Sequence, residues 1–249
     1  MSGHSKWATT KHQKAAKDSA RAKVFAKLIR QVEVASREGG GDIDANASLR
    51  TAYQKAREAS VPTDTIERAI KRGTGELEGV RYEAISYEGY GPGGVAVIVE
   101  TLTDNRNRTS SEIKHLFGRH GGAIAEPGAV SWQFSRKGII EVEGPLDEDQ
   151  LLEWVMETGA ENYEASGGDY TVTTEPHDLA VVRDGLEKHG LRVKSAELTL
   201  VPQSTVPVTD EAEAKRVLRL LDALDDHDDV QNVYANFDIA DELVAAYEE

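Results

Sequence analysis

The sequence has no cysteine, which excludes disulfides, thiol nucleophiles and thiolate-bound zinc and suits a reducing compartment. No apolar run exceeds the five residues of Val95-Ala96-Val97-Ile98-Val99, the length of a buried strand and far short of a membrane span. No apolar signal core follows Met1-Ser2-Gly3-His4-Ser5-Lys6, so the expectation is a cytoplasmic protein without a membrane partner. Catalytic constellations are missing too. His115 and His120 are five residues apart and so point to different sides of a helix, and neither HExxH nor a nucleophile elbow occurs. The sequence therefore predicts no catalytic residue, no metal site, no cofactor and no small-molecule substrate.

What is present is charge, unevenly placed. The 249-residue chain has a formal charge of −15. Residues 1–75 hold 15 Lys and Arg against 8 Asp and Glu, and residues 76–249 hold 14 against 36. A basic arm on an acidic body points to a polyanion met at one end.

The chain is long enough for two or three cores. Up to about Gly75 it reads as three helices. Val24, Phe25, Leu28, Ile29 and Val32 make a stripe at helical spacing, with Lys23, Lys27 and Arg30 on the opposite face. Carried backwards on the same wheel, Lys14, Lys17 and Arg21 fall on the apolar stripe. Either the helix leaves its bundle before about residue 21, or the first twenty residues form a separate arm. A second helix is expected around residues 47–59. A third begins near Pro62-Thr63-Asp64, with Thr63 or Asp64 as N-cap, and stops at Gly73.

From Val80 the period changes to strands at 82–90 and 95–102. A helix follows from Thr109 to His120 with capping-box spacing between Thr109 and Glu112, then a strand around 130–134. Residues 138–201 run strand, helix, strand, strand, helix, strand, the order of a ferredoxin-like unit. A last helix with Val217, Leu218, Leu221 and Leu224 inward and a strand around 230–237 fit as the end of the block begun at Val80. The expected fold is α+β: an N-terminal three-helix domain (1–77) followed by two ferredoxin-like α+β domains, the third (137–202) inserted in the second (78–136 plus 203–240).

Gly89-Tyr90-Gly91-Pro92-Gly93-Gly94 has the spacing of a dinucleotide fingerprint but leads into a strand instead of a helix, so it reads as a wide hairpin turn. Asp222, Asp225, Asp226, Asp228 and Asp229 crowd around His227 without matching a metal-ligand spacing. They are expected to form a solvated acidic surface that repels phosphate and turns a polyanion toward the other end.

Candidate nucleic-acid contacts lie in three places. Lys6, Trp7, Lys11, His12, Lys14, Lys17, Arg21, Lys23, Lys27 and Arg30 mix ammonium and guanidinium groups, which neutralise phosphates, with rings that can stack on bases. Arg68, Lys71 and Arg72 close the third helix and could extend that surface. Arg106 and Arg108 stand in Asp104-Asn105-Arg106-Asn107-Arg108-Thr109-Ser110-Ser111, a polar loop feeding a helix N-terminus whose N–H groups suit phosphate oxygens. No central strand carries the aromatic pattern of an RNA-recognition motif, and no base-reading helix is identifiable. The acidic domains offer a surface for a protein partner.

The segments GHSKWATTKHQKAAKDSARAKVFAKLIRQ, VASREGGGD, PTDTIERAIKRGTG, YEGYGPGGVAVIVETLTDNRNRT and DDVQNVYANFDI, spread from residue 3 to residue 239, resemble successive motifs of the YebC/PmpR family. The resemblance implies a small helical domain with two α+β domains, no enzymatic activity and a bacterial cytoplasmic or a mitochondrial setting. It implies DNA-binding transcriptional regulation or, as the alternative, a ribosome-associated translational activator that binds RNA and relieves stalled translation. On this chain the motif residues are Lys6, Trp7, Lys11, His12, Lys14, Arg21, Lys27, Arg30 and the loop 104–109. Where many relatives read Asn-Met-Pro-Lys, Ser60-Val61-Pro62-Thr63 lacks the lysine.

Overall fold

The computed structural model describes residues 18–145, 147–166, 168–240, 243, 244 and 247. Lys6, Trp7, Lys11, His12, Lys14 and Lys17 lie outside the described residues.

Three helices come first: α1 (Asp18–Gly39), α2 (Ala47–Glu58) and α3 (Thr63–Thr74). Val32, Leu49, Ala56, Ile66 and Ala69 are buried between them, with Phe25, Leu28 and Ile29 packed at the margin. Helix α3 lies close on α1 because position 73 is glycine: a Cβ there would stand 2.4 Å from Ser36 Oγ and 2.5 Å from the Glu33 carbonyl oxygen. Asn46 caps α2 by accepting the Leu49 N–H at 3.0 Å. Helix α3 has no side-chain cap. Pro62, with φ at −58°, leads directly into it, so Thr63 is its first residue.

The chain continues as β1 (Glu83–Tyr90), β2 (Ala96–Thr103), α4 (Arg106–Arg119), β3 (Ala123–Ala125), β4 (Phe134–Val142), α5 (Glu148–Thr158), β5 (Asn162–Ser166), β6 (Asp169–Thr174), α6 (Leu179–Lys188), β7 (Val193–Pro202), β8 (Val206–Val208), α7 (Glu211–Asp225), β9 (Val230–Ala235) and β10 (Phe237–Ile239). The central sheet has the order β3-β1-β2-β9 with every pair antiparallel. Helices α4 and α7 cover one face, where Val97 and Val99 meet Ile113, Phe117, Val217 and Leu221. On the other face Ala96, Ile98 and Tyr234 pack with Val130 and Phe134. Strand β2 is thus covered on both sides, which is why its residues are continuously apolar and do not alternate.

A second sheet, β5-β6-β4-β7, carries α5 and α6 over a core that includes Ile140, Leu151, Val155, Val172, Val182 and Leu186. The α+β expectation holds for both sheets. The ferredoxin-like order fits the second. The central sheet instead opens with the β1–β2 hairpin, because the turn at 91–95 joins those strands directly.

Three local expectations are corrected. Helix α4 starts at Arg106, capped by Asn105 accepting the Arg108 N–H at 3.1 Å. Thr109 is no cap but a buried residue, its hydroxyl bonded to Thr103 and Asp229 at 2.7 Å each. The strand expected around 130–134 starts only at Phe134, because the Glu88 carboxylate gathers the N–H groups of Gly128, Val130 and Ser131 at 2.7, 2.7 and 2.9 Å and curls that stretch into a turn. The last strand breaks at Asn236, whose buried side chain accepts the Ala96 N–H at 2.7 Å and donates to Gln133 at 3.0 Å. Among the described residues no helix is long and apolar enough to cross a membrane.

Candidate nucleic-acid interface

Lys23, Lys27 and Arg30 recur at four and three residues along α1 and so share one face. That face meets the C-terminal end of α7. Lys23 Nζ is 3.3 Å from Asp226 Oδ1, and Lys27 Nζ donates to the Asp225 carbonyl at 2.6 Å and to its carboxylate at 3.2 Å. Arg30 donates to the Asp228 carbonyl at 2.6 Å and to Asp229 Oδ1 at 3.0 Å. A helix C-terminus carries partial negative charge on its free carbonyls, and here several aspartates add to it. Three cations from α1 answer that concentration.

Asp229 is the hub of the joint. It is buried, and its second oxygen accepts from Arg108 and from Thr109 at 2.7 Å each. Burial pushes its carboxyl up. The hydrogen bonds from Thr109 and Arg108 and the charges of Arg108 and Arg30 outweigh this, and its pKa lies below the ordinary aspartate value. The same bond to Asp229 raises the Arg108 pKa. A cleft of about 720 Å³ opens here, lined by Lys23, Arg30, Tyr82, Asp104, Arg108 and the 226–229 turn, among others.

The acidic run is therefore not a solvated surface turning a polyanion elsewhere, because the end of α7 abuts α1 and the run binds the very cations assigned to phosphate. Arg72 is likewise engaged: it donates to Glu33 at 2.8 Å, and Arg37 stands 3.4 Å from the other oxygen of that buried carboxylate. Arg21 is exposed, its guanidinium carbon 5.2 Å from the Phe25 ring centroid. Arg68, Lys71 and Arg106 are exposed and form no ion pair with a described residue. At the start of α4, Asn105 takes one free N–H, and Asp104 at 2.9 Å holds Arg108. Of the two loop arginines, only Arg106 stands open.

Glu33 was not singled out by the sequence, and Asp229 and Thr109 were read there in other roles, one in a solvated acidic surface and the other as a helix cap. Nothing local points to the partners of Asp229, 120 and 199 residues away. Glu112, His227 and Asp229 are close enough together to be weighed as metal ligands. His227 Nδ1 accepts the Asp229 N–H at 3.1 Å, so Nε2 carries the proton and donates to Glu112 at 2.9 Å. With both Asp229 oxygens facing guanidinium groups, this set suits an ion-pair network and not a cation.

Residues 5–76 match the TACO1/YebC protein N-terminal domain, and residues 82–237 match the TACO1/YebC second and third domain. The chain belongs to the TACO1/YebC family. A protein of Halothermothrix orenii named "Probable transcriptional regulatory protein" is 52% identical over 247 residues, 98% of each chain. A protein of the same name from Acidithiobacillus ferrooxidans is 52% identical over 248 residues, covering 100% of this chain and 99% of its own. The crystal structure of a conserved hypothetical protein from Aquifex aeolicus matches at a TM-score of 0.80 and 48% identity, over 90% of this chain and 93% of that one. The joint between α1 and α7 in this TACO1/YebC member lies across both matched regions.

Proposed function

We propose that this protein is a non-enzymatic, cytoplasmic, nucleic-acid-binding regulator organised as units 1–77, 78–136 with 203–240, and 137–202. The observation that carries the reading is the division of labour among its N-terminal cations. Lys23, Lys27 and Arg30 face the aspartates of the 225–229 turn at the end of α7. Residues 1–17 keep Lys6, Lys11, Lys14 and Lys17 with no acid among them. These lysines, with Trp7 and His12, precede a helix that is anchored at its base, and exposed Arg21, Arg68 and Lys71 extend the same sign of charge. Such a segment neutralises phosphates by releasing counterions.

Relatives named as transcriptional regulatory proteins favour DNA as the target; ribosomal RNA is the alternative. The test is the salt dependence of binding by the full chain and by a chain starting at Asp18, on duplex DNA and on folded RNA. Loss of the four lysines is expected to lower the log–log slope on duplex by about 3 to 4, and an unchanged slope overturns the reading. A higher affinity for the RNA at equal salt selects the translational version. The acidic units are the proposed face for a protein partner, on the strength of Leu152 and Met156, exposed one turn apart on α5. A chain with Leu152→Glu and Met156→Glu that keeps every partner in cellular crosslinking overturns that part.

A further inference from the structure

The β5-β6-β4-β7 sheet has two edges, and they differ. At one, β7 carries Lys194 and ends at Pro202, residue types that discourage a further strand, and Lys55 of α2 reaches across to Glu197 at 3.0 Å. At the other, β5 pairs with β6 and has no strand on its outer side among the described residues. Its sequence, Asn-Tyr-Glu-Ala-Ser, contains neither lysine nor proline. Alternate residues of such a strand turn their N–H and C=O groups away from the sheet, in a row that another chain can pair with.

Helix α5 overhangs that edge. It packs on β5, and its contacts with α6 fix how it is turned: the Trp154 and His189 rings stack with centroids 5.4 Å apart, and a Cβ on Gly185 would stand 2.5 Å from Thr158. Leu151 and Val155 point into the core. At about 100° per residue, Leu152 and Met156 therefore fall on the flank opposite Trp154 and Thr158, away from α6 and over the β5 edge. They are 45% and 72% exposed. Below them Tyr163 packs toward the same core, which puts Ala165 on that side of β5 and Asn162 and Glu164 on the other. An apolar helix flank and a free strand edge thus form the two walls of one trough.

The charge around the trough has one sign. Residues 143–169 hold nine acids and no lysine, arginine or histidine. Asp149 and Glu153, each three residues before one of the apolar pair, share the flank with Leu152 and Met156. Glu153 and Glu164 are exposed and form no ion pair with a described residue. A second copy of this chain would bring the same acids to the same edge and be repelled, whereas a cationic segment is attracted.

We infer that the β5 edge and the α5 flank take an extended, cationic segment of another protein as a fifth strand. Its main chain pairs with β5, its apolar side chains meet Leu152 and Met156, and the lysines or arginines between them fall on the side of Glu164. Main-chain pairing supplies affinity in this mode of recognition, and the alternate side chains supply selectivity. The inference rests on the proposed partner face and adds the chemistry and the conformation of what docks there.

The probe is a peptide of four valines alternating with four lysines, titrated on the full chain. It is expected to bind, and the same peptide with glutamate in place of lysine is expected not to. Alternate residues of a strand turn their amides to the same side. Of two versions, N-methylated on the valine amides or on the lysine amides, one should therefore lose at least about tenfold in affinity while the other keeps it. Both keeping it, or both losing it, overturns strand addition. Leu152→Glu with Met156→Glu should weaken the parent peptide about tenfold, and Glu164→Lys about threefold; affinity unchanged in either variant overturns the placement. Amide exchange over residues 162–166 should slow in the complex, and an unchanged rate there is equally fatal. Peptide binding that appears only in the chain starting at Asp18 would give the trough to residues 1–17, and dimerisation of the parent chain that Leu152→Glu with Met156→Glu abolishes would give it to a second copy; each overturns the inference. If the full chain binds no peptide, strand addition fails, while the partner face stands or falls separately on the cellular crosslinking.

Discussion

At the α1 end of the central sheet Lys23, Lys27, Arg30 and Arg108 each meet a carboxylate, and three of the four also donate to main-chain carbonyls of the 225–229 turn. At the opposite end Arg119 and Arg219 meet no acid among the described residues. Residue type does not separate the two groups. What separates them is whether a helix C-terminus with its aspartates comes within reach. The Asp225 and Asp229 carboxylates are largely buried, and a charge-assisted bond to such a group is strong enough to fix orientation, so Lys27, Arg30 and Arg108 are structural, whereas the Lys23–Asp226 pair is exposed and weak. The second set meets no carboxylate among the described residues, and both of its charges act on His120.

Removing the hub should break the paired end most severely. Asp229→Ala leaves Arg30, Arg108 and Thr109 without their shared acceptor and should cost about 3 kcal/mol in urea unfolding. The folded carboxyl titrates below the ordinary aspartate value of 3.8. Its contribution is therefore complete above that value and is lost as the pH falls through the lower, folded pKa. The stability gap between the parent chain and the variant should close in that acid window, and a gap that widens there would refute the assignment.

Lys27→Ala should cost about 1 to 2 kcal/mol while leaving the salt slope of nucleic-acid binding untouched. A slope lower by about 0.9 would instead place this lysine on a phosphate. The smallest effect belongs to the open end. Arg219→Ala should change stability by less than about 0.5 kcal/mol. It should also raise the pH at which His120 titrates by NMR, since burial and then the Arg119 and Arg219 charges hold that value down. An unmoved His120 would mean that the two cations do not share one surface.

The features legible in the sequence are those with local causes. Helix α2 was expected over 47–59 and ends at Glu58, because Asn46, the Leu49-Ala52-Ala56 spacing and the following turn all act within a few residues. Asp147 caps α5 by accepting the Gln150 N–H at 3.0 Å, a partner only three residues away. Asn105 displaced Thr109 as the cap of α4 because the threonine hydroxyl finds Asp229, 120 residues away. Strand β3 is only Ala123-Ile124-Ala125, too short to show a period. For the candidate interface, composition marked the cations. It could not sort them, since the partners of Lys23, Lys27 and Arg30 lie 203, 198 and 199 residues further along.

That separation gives the joint an order of assembly. Domains emerging from the ribosome fold from the N-terminal side, and α1 is made long before residues 225–229. Throughout that interval Lys23, Lys27 and Arg30 have none of the aspartates that later occupy them, and the nascent chain displays its full complement of N-terminal cations beside ribosomal RNA. Completion of α7 withdraws those three from competition. A translation product stopped short of the 225–229 turn would keep them exposed and bind polyanions more promiscuously than the finished protein.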